Sequence, residues 1–150
     1  TTVLDLPIML DAPRARVSYG DSPPMQLYFL DRNASLPEPP GIWVLGKRRA
    51  DIIIRTPREL EAITVTARSP IVTNVSIDIG GGDGLIALKP GVPGTATIRP
   101  KGVYSRRSWA YLMRIRTSEG FVPRLVEAGS EDSRFLGAAI SLTAVPATAR

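Results

Sequence analysis

From Ile42 onward the chain alternates apolar and polar side chains in short runs, each cut by Gly or Pro. In the run 50–55, Ile52 and Ile54 fall on one face and Asp51, Ile53 and Arg55 on the other. Ile63, Val65 and Ala67 oppose Thr64, Thr66 and Arg68; Ile71, Val75, Ile77 and Ile79 oppose Asn74, Ser76 and Asp78. Further runs cover 42–45, 85–89, 95–99, 109–117 and 135–143. A period of two sustained over such lengths is that of a strand with one buried face and one wet face. The runs are rich in Val, Ile and Thr, whose branched side chains suit a pleated surface. Between them stand turn formers: Ser69-Pro70, Gly80 to Gly84, Pro90-Gly91 and Pro93-Gly94. The one segment with helical character is Arg58 to Ala62, a single turn at most. Short strands at this spacing, without heptads or repeats, predict an all-β fold: an antiparallel two-sheet β-sandwich, jelly-roll-like.

Residues 1–40 differ. Pro7, Pro13, Pro23, Pro24, Pro37, Pro39 and Pro40 leave only short strand-like pieces around Ala15–Tyr19 and Met25–Leu30. Proline has no N–H to give to a central ladder. The stretch is therefore expected to supply edge strands and connections packed on a sandwich of residues 41–143, with a tail at 144–150. A length of 150 residues suits one domain. The first residue is Thr rather than Met, as in a processed product or a piece of a longer protein.

Composition removes most catalytic chemistry. The chain has no His and no Cys, so Ser-His-Asp and Cys-His arrangements, disulfides and thiolate metal sites are excluded. No catalytic residue is assigned. No apolar run approaches the roughly 18 residues of a membrane span. The net charge is +5, from 19 Lys and Arg against 14 Asp and Glu. Basic residues gather at Lys47, Arg48, Arg49, Arg55 and Arg58, and again at Arg99, Lys101, Arg106, Arg107, Arg114 and Arg116. Such clusters fit either an anionic partner, including an envelope component, or a solvated Arg-rich face. Nucleic acid is not an expected partner, since no recognition motif accompanies the charge.

The glycine run invites a phosphate-loop reading, but Leu85-Ile86-Ala87-Leu88 follows it where such a loop needs Lys, Ser or Thr and a helix. A hairpin turn fits better. Asp78 with Asp83, or Glu131 with Asp132, offers oxygen ligands for a structural calcium, although neither stretch matches an EF-hand loop. No other cofactor is expected. Trp109 and Tyr111 share a strand face with Met113 and Ile115 and are expected in the core. Trp43 is a candidate platform for a sugar ring, because the ring's C–H groups form an apolar face. Tyr104, Arg106 and Arg107 stand together before a strand, and guanidinium pairs hold anionic or phosphate groups bidentately. Asp132 is expected to pair with Arg134, and both complete the candidate ligand-binding set.

Gly120-Phe121-Val122-Pro123 and Ala128 to Gly137, with Gly41-Ile42-Trp43-Val44-Leu45-Gly46 upstream, resemble a β-sandwich module appended C-terminally to bacterial membrane glycosyltransferases and other envelope-glycan proteins. That module carries a Gly-Phe-x-Pro segment, then Asp-x-Arg-x-Leu-Gly and a final strand. The likeness spans residues 38–143 and implies a non-catalytic, extracytoplasmic accessory role (periplasmic or at the cell surface), binding a glycan or docking on a partner or parent protein. It transfers no sugar-contacting residue. The alternatives are a structural or protein-interaction domain without sugar affinity, and a glycosidase, which would need two carboxylates roughly 5–10 Å apart across a cleft.

Overall fold

The computed structural model describes residues 16–20, 24–38 and 41–148. Among these, eleven strands form: β1 Arg16–Tyr19, β2 Met25–Phe29, β3 Ile42–Leu45, β4 Ala50–Thr56, β5 Leu60–Arg68, β6 Thr73–Ile79, β7 Gly82–Leu88, β8 Gly94–Ile98, β9 Val103–Ser105, β10 Ser108–Thr117 and β11 Leu136–Pro146. One helical turn, α1, spans Pro123–Val126. All pairings are antiparallel.

The strands divide into a seven-stranded sheet, ordered β1-β2-β4-β10-β6-β7 with β9 also on β10, and a four-stranded sheet ordered β3-β11-β5-β8. Setting β1, β2 and β9 aside, β4, β6, β7 and β10 face β3, β5, β8 and β11, which is the two-sheet division of a jelly roll. The expected all-β, jelly-roll-like sandwich is the fold observed. Its core comes from the predicted faces. Ile52, Ile54, Val75, Ile79, Tyr111, Met113 and Ile115 point from the larger sheet at Ile42, Val44, Ile63, Val65, Ile140 and Leu142 of the smaller. Each such side chain contributes about 1.5–3 kcal/mol on burial, which is why the two-residue period forecasts the sheets so well.

Two tyrosines tie the sheets together through hydrogen bonds as well as apolar contact. The Leu60 N–H, at the start of β5, donates to the Tyr111 hydroxyl at 2.8 Å. The Leu142 N–H, beyond the point where β3 ends against β11, donates to the Tyr19 hydroxyl at 3.0 Å. Both N–H groups lie where a neighbouring strand stops, and a side chain from the opposite sheet completes the ladder. Tyr111 is fully enclosed, and loss of hydration raises its pKa above the ordinary phenol value.

Several expectations need correction. Arg58 to Ala62 is not helical: the Thr56 hydroxyl donates to the Arg58 carbonyl at 2.6 Å, closing a turn, and β5 begins at Leu60. Burying Leu60, Ala62 and Ile63 against the opposite sheet outweighs a weak local helical preference. The helical turn lies instead at Pro123, where proline's fixed φ suits a first position. In the Pro-rich stretch β1 is an edge strand, but β2 is interior, pairing with both β1 and β4; its prolines fall outside the run, so its N–H groups remain available. β11 continues through Ala144 and Val145 to Pro146, beyond the expected end at 143. The β6–β7 turn is Gly80-Gly81, both at positive φ, while Gly82-Asp83-Gly84 belong to β7. Ile53, placed by its period on the wet face, is fully buried in a small outer cluster with Tyr28 and Ala110. The remainder of 1–15, with 21–23, 39–40 and 149–150, lies outside the described residues.

Tyr111→Phe should destabilise the fold by about 1–3 kcal/mol, because the Leu60 N–H is left buried without an acceptor. Denaturant unfolding checks this, and a change below about 0.5 kcal/mol would show the hydrogen bond to be dispensable.

Candidate functional site

The antiparallel register sends the long connections to one end of the sandwich. The β3–β4, β5–β6, β7–β8 and β10–β11 connections all lie there, since Ala50 pairs with Ile115, Thr73 with Leu88, Ala67 with Gly94 and Leu136 with Leu45. The β9–β10 hairpin lies at the other end, where Trp109 pairs with Thr56 and Tyr104. The six candidate ligand residues therefore separate. Trp43, Asp132 and Arg134 meet at the first end; Tyr104, Arg106 and Arg107 sit at the second, roughly the length of β10 away, about 30 Å at 3.3 Å per residue.

At the first end these side chains line a hollow of about 510 Å³ with Glu38, Arg68 and Phe121. Trp43 is on the outward face of β3, half-buried. Its neighbour across the ladder is Ala139, and beyond that Arg68. The small alanine leaves a gap between indole and guanidinium. Phe121 holds the indole edge-on, with ring centroids 6.0 Å apart and planes at 68°. It is placed in turn by paired backbone bonds with Leu136, 2.7 and 2.8 Å long. The Ser35 hydroxyl accepts the Trp43 N–H at 3.0 Å, and the Ser35 N–H returns to the Trp43 carbonyl at 2.8 Å. Ser35 thus fixes the Trp43 main chain, and Phe121 is the aromatic ring packed against the indole, which borders the hollow.

The opposite wall is an ion-pair network. Arg134 Nη2 lies 2.6 Å from Asp132 Oδ2, its Nε donates to both Asp132 oxygens at 3.0 and 3.1 Å, and its Nη1 lies 3.0 Å from Glu38 Oε1. The Arg134 N–H also donates to Asp132 Oδ1 at 3.0 Å, so one carboxylate closes its own turn and grips the guanidinium. The Arg134 side chain, and then its backbone N–H, hold the Asp132 carboxyl well below the usual range, from 3.8 to about 2. Asp132 and Glu38 together raise the guanidinium pKa. With Glu127, the hollow presents three carboxylates against Arg68 and Arg134, so it is polar without being an anion trap.

The residues of the Gly-Phe-x-Pro and Asp-x-Arg-x-Leu-Gly segments converge here. The Phe135 ring lies over Gly46 and Gly120, whose hydrogens face it where a Cβ would strike the ring. A Cβ on Gly137 would collide with the Thr117 side chain. These close approaches bring β3, β10 and β11 together beneath the hollow.

The Tyr104, Arg106 and Arg107 group is built differently. Arg106 and Arg107 are the two turn residues between Ser105 and Ser108, at φ 56° and 65°. This left-handed hairpin geometry is usually left to Gly or Asn. Tyr104 packs on Trp109, 5.3 Å between centroids, a cross-strand aromatic pair. Arg107 borders a separate hollow with Tyr28 and Arg55. Trp109 is partly buried against the core, with Tyr111, Met113 and Ile115 on the same inward face.

The basic residues are dispersed. Arg49 pairs with Asp51, Arg116 Nε donates to the Lys47 carbonyl, and Arg99 pairs with Glu61. Arg49, Arg114 and Arg116 do share a shallow outer-face hollow of about 540 Å³, but Asp78 and Asp83 line it too. Asp78 faces Asp83 across the ladder; among the described residues no third acid joins them, or any other pair, as a metal-binding group. Comparison of the chain with protein-family models, with curated proteins and with solved structures gives no match.

The sequence pattern missed Glu38, Arg68 and Phe121 as members of the site. Phe121 stood within the Gly-Phe-x-Pro segment, and Arg68 sat at a wet position ending an alternating run. Glu38, among prolines, gave no signal.

Because the folded-state pKa of Asp132 is depressed, its contribution to stability is present above the ordinary carboxylate value and is lost as pH falls from about 4 to 2. Thermal melts of the parent chain and of Asp132→Asn should therefore differ at pH 5 and converge near pH 2. Equal separation of the two curves across that range would contradict the ion pair's role.

Proposed function

We propose that this chain is a non-catalytic sandwich module that binds a glycan in the hollow between Trp43 and the Arg134 network. The observation that carries the reading is the placed indole: Trp43 is half-buried, its ring packed edge-on by Phe121 and its main chain held by Ser35, and it lines the hollow with Glu38, Arg68, Asp132 and Arg134. A pyranose offers an apolar C–H face and a rim of hydroxyls. The indole suits the first, and Glu38, Arg68, Asp132 and Arg134 can exchange hydrogen bonds with the second. The near balance of charge favours a neutral or mildly cationic sugar over a polyanion.

Binding is favoured over hydrolysis by the pairing of Asp132 and Glu38 with Arg134. A glycosidase needs one carboxyl with a raised pKa to protonate the leaving oxygen. Asp132 is shifted the other way, and the same guanidinium engages Glu38. The resemblance to modules of envelope-glycan proteins supports a glycan ligand, and on this reading the module works outside the cytoplasm where such glycans are displayed. Tyr104, Arg106 and Arg107 play no part in it.

Calorimetry against a panel of neutral and amino-sugar oligosaccharides tests the proposal. At least one should bind the parent chain, and Trp43→Ala should weaken it by about tenfold or more, the loss expected when a stacking platform worth about 1.5 kcal/mol is removed. Tyr104→Ala should leave affinity unchanged. No heat with any glycan, or equal binding by the Trp43 variant, would dispose of the reading.

A further inference from the structure

The hollow is rimmed by three loop tips that are unusually apolar for an exposed surface. Pro70-Ile71-Val72 joins β5 to β6, Pro90-Gly91-Val92-Pro93 joins β7 to β8, and Leu125-Val126 ends α1. Val72 is 66% exposed, Val92 55%, Leu125 73% and Val126 55%. The tips are neighbours in space: the Gly91 N–H donates to the Ser69 carbonyl at 2.9 Å, and Pro70, Gly91 and Pro123 all line the hollow. Large apolar side chains scattered singly need no explanation, but a group of them projecting from adjacent loops marks a surface with a partner.

Charge indicates which partner. Residues 69–72, 89–93 and 123–126 contain no carboxylate, and their only charges are Lys89 and Arg124. Neither cation forms an ion pair among the described residues. The acids that border the tips face the hollow: Glu127 follows the last tip, and Asp132, whose carbonyl accepts the Arg124 N–H at 2.9 Å, lines the hollow with Glu38, where Arg134 pairs with both. Apolar tips beside unpaired cations match the boundary of an anionic bilayer, where acyl chains accept the side chains and headgroup phosphates face the cations. A protein interface would more naturally place aromatic anchors at its centre; the most exposed apolar side chains of these three tips, Val72, Val92, Leu125 and Val126, are all aliphatic.

We infer that this end of the sandwich docks reversibly on anionic phospholipid, with Val72, Val92, Leu125 and Val126 entering the headgroup boundary and Lys89 and Arg124 lying at the phosphates. Docked in this way, the module would turn the Trp43 hollow toward the membrane surface. The inference rests on the rim alone and stands whether or not the hollow takes a glycan.

Vesicle co-sedimentation without any glycan tests it separately from the glycan reading. The full chain should sediment with vesicles of phosphatidylcholine and phosphatidylglycerol, more weakly with phosphatidylcholine alone, and less as salt is raised. Lys89→Ala and Arg124→Ala should each weaken binding to the anionic vesicles about fivefold. Val72→Glu with Leu125→Glu should weaken it at least tenfold, and because both side chains are exposed the thermal melt should not move, which separates lost docking from lost folding. Tyr104→Ala, at the opposite end of the sandwich, should sediment like the unaltered chain. No sedimentation with either vesicle type, or full binding by the Val72→Glu, Leu125→Glu variant, would overturn the inference and leave the rim as a surface for protein contact.

Discussion

The structure depends on one constraint: two sheets must bury their branched faces against each other while most outward side chains, the Tyr28, Ile53 and Ala110 cluster apart, turn to water. In a strand that requirement fixes the side of each residue, and in antiparallel sheets it sends the connections to the two ends. The consequences reach the candidate site directly. Trp43 is outward because Ile42 and Val44 are fully buried on either side of it. Arg68 is outward because Ala67 is inward. The two share a row across Ala139 because β3 and β5 both pair with β11. The hollow is thus a by-product of core packing, completed by the β10–β11 connection.

That connection follows local rules instead of core patterning. From Ser118 to Phe135 it has no strand ladder to organise it, and its order comes from the Phe121–Leu136 bridge, the single turn at Pro123 and the Asp132–Arg134 clasp. Glycines let it approach closely: Gly46 and Gly120 sit beneath Phe135, and Gly137 lies against Thr117. The Arg134 network is exposed enough that its worth as stability is modest. Its larger effect is geometric, since it joins the residue before the Pro39-Pro40 pair to the loop ahead of the last strand and so fixes the wall facing the indole.

Much of the fold was legible in the sequence because it follows from period-two burial. Most strands from Ile42 to Leu142 fall where alternation places them, within a few residues; the exceptions are β9, Val103–Ser105, where Tyr104 and Ser105 read as loop but pair with β10, and Ile71, which lies in the loop ahead of β6. The misreadings share a cause. Arg58 to Ala62 looked helical because local preference there is weak, while the deciding contacts of Leu60 come from the opposite sheet and from the Tyr111 hydroxyl. Ile53 looked exposed because a strand period cannot reveal a second cluster on the outer face. β2 looked like an edge because nearby prolines say nothing about the residues between them. The candidate site was half legible: Trp43, Asp132 and Arg134 converge, whereas Tyr104, Arg106 and Arg107, plausible by residue type, lie at the far end. Residue type suggests chemistry, but only the register of β10 and β11 shows which chemistry shares a space.

The most direct measurement is an amide and indole NMR titration of the labelled chain with an oligosaccharide series. If the hollow at the long-loop end is the working surface, shifts will concentrate on the Trp43 indole, Phe121, Arg68 and residues 130–134, and the Tyr104–Arg107 hairpin will stay still. Shifts gathered on that hairpin or on the outer face of the seven-stranded sheet, or a spectrum that no sugar moves, would contradict it.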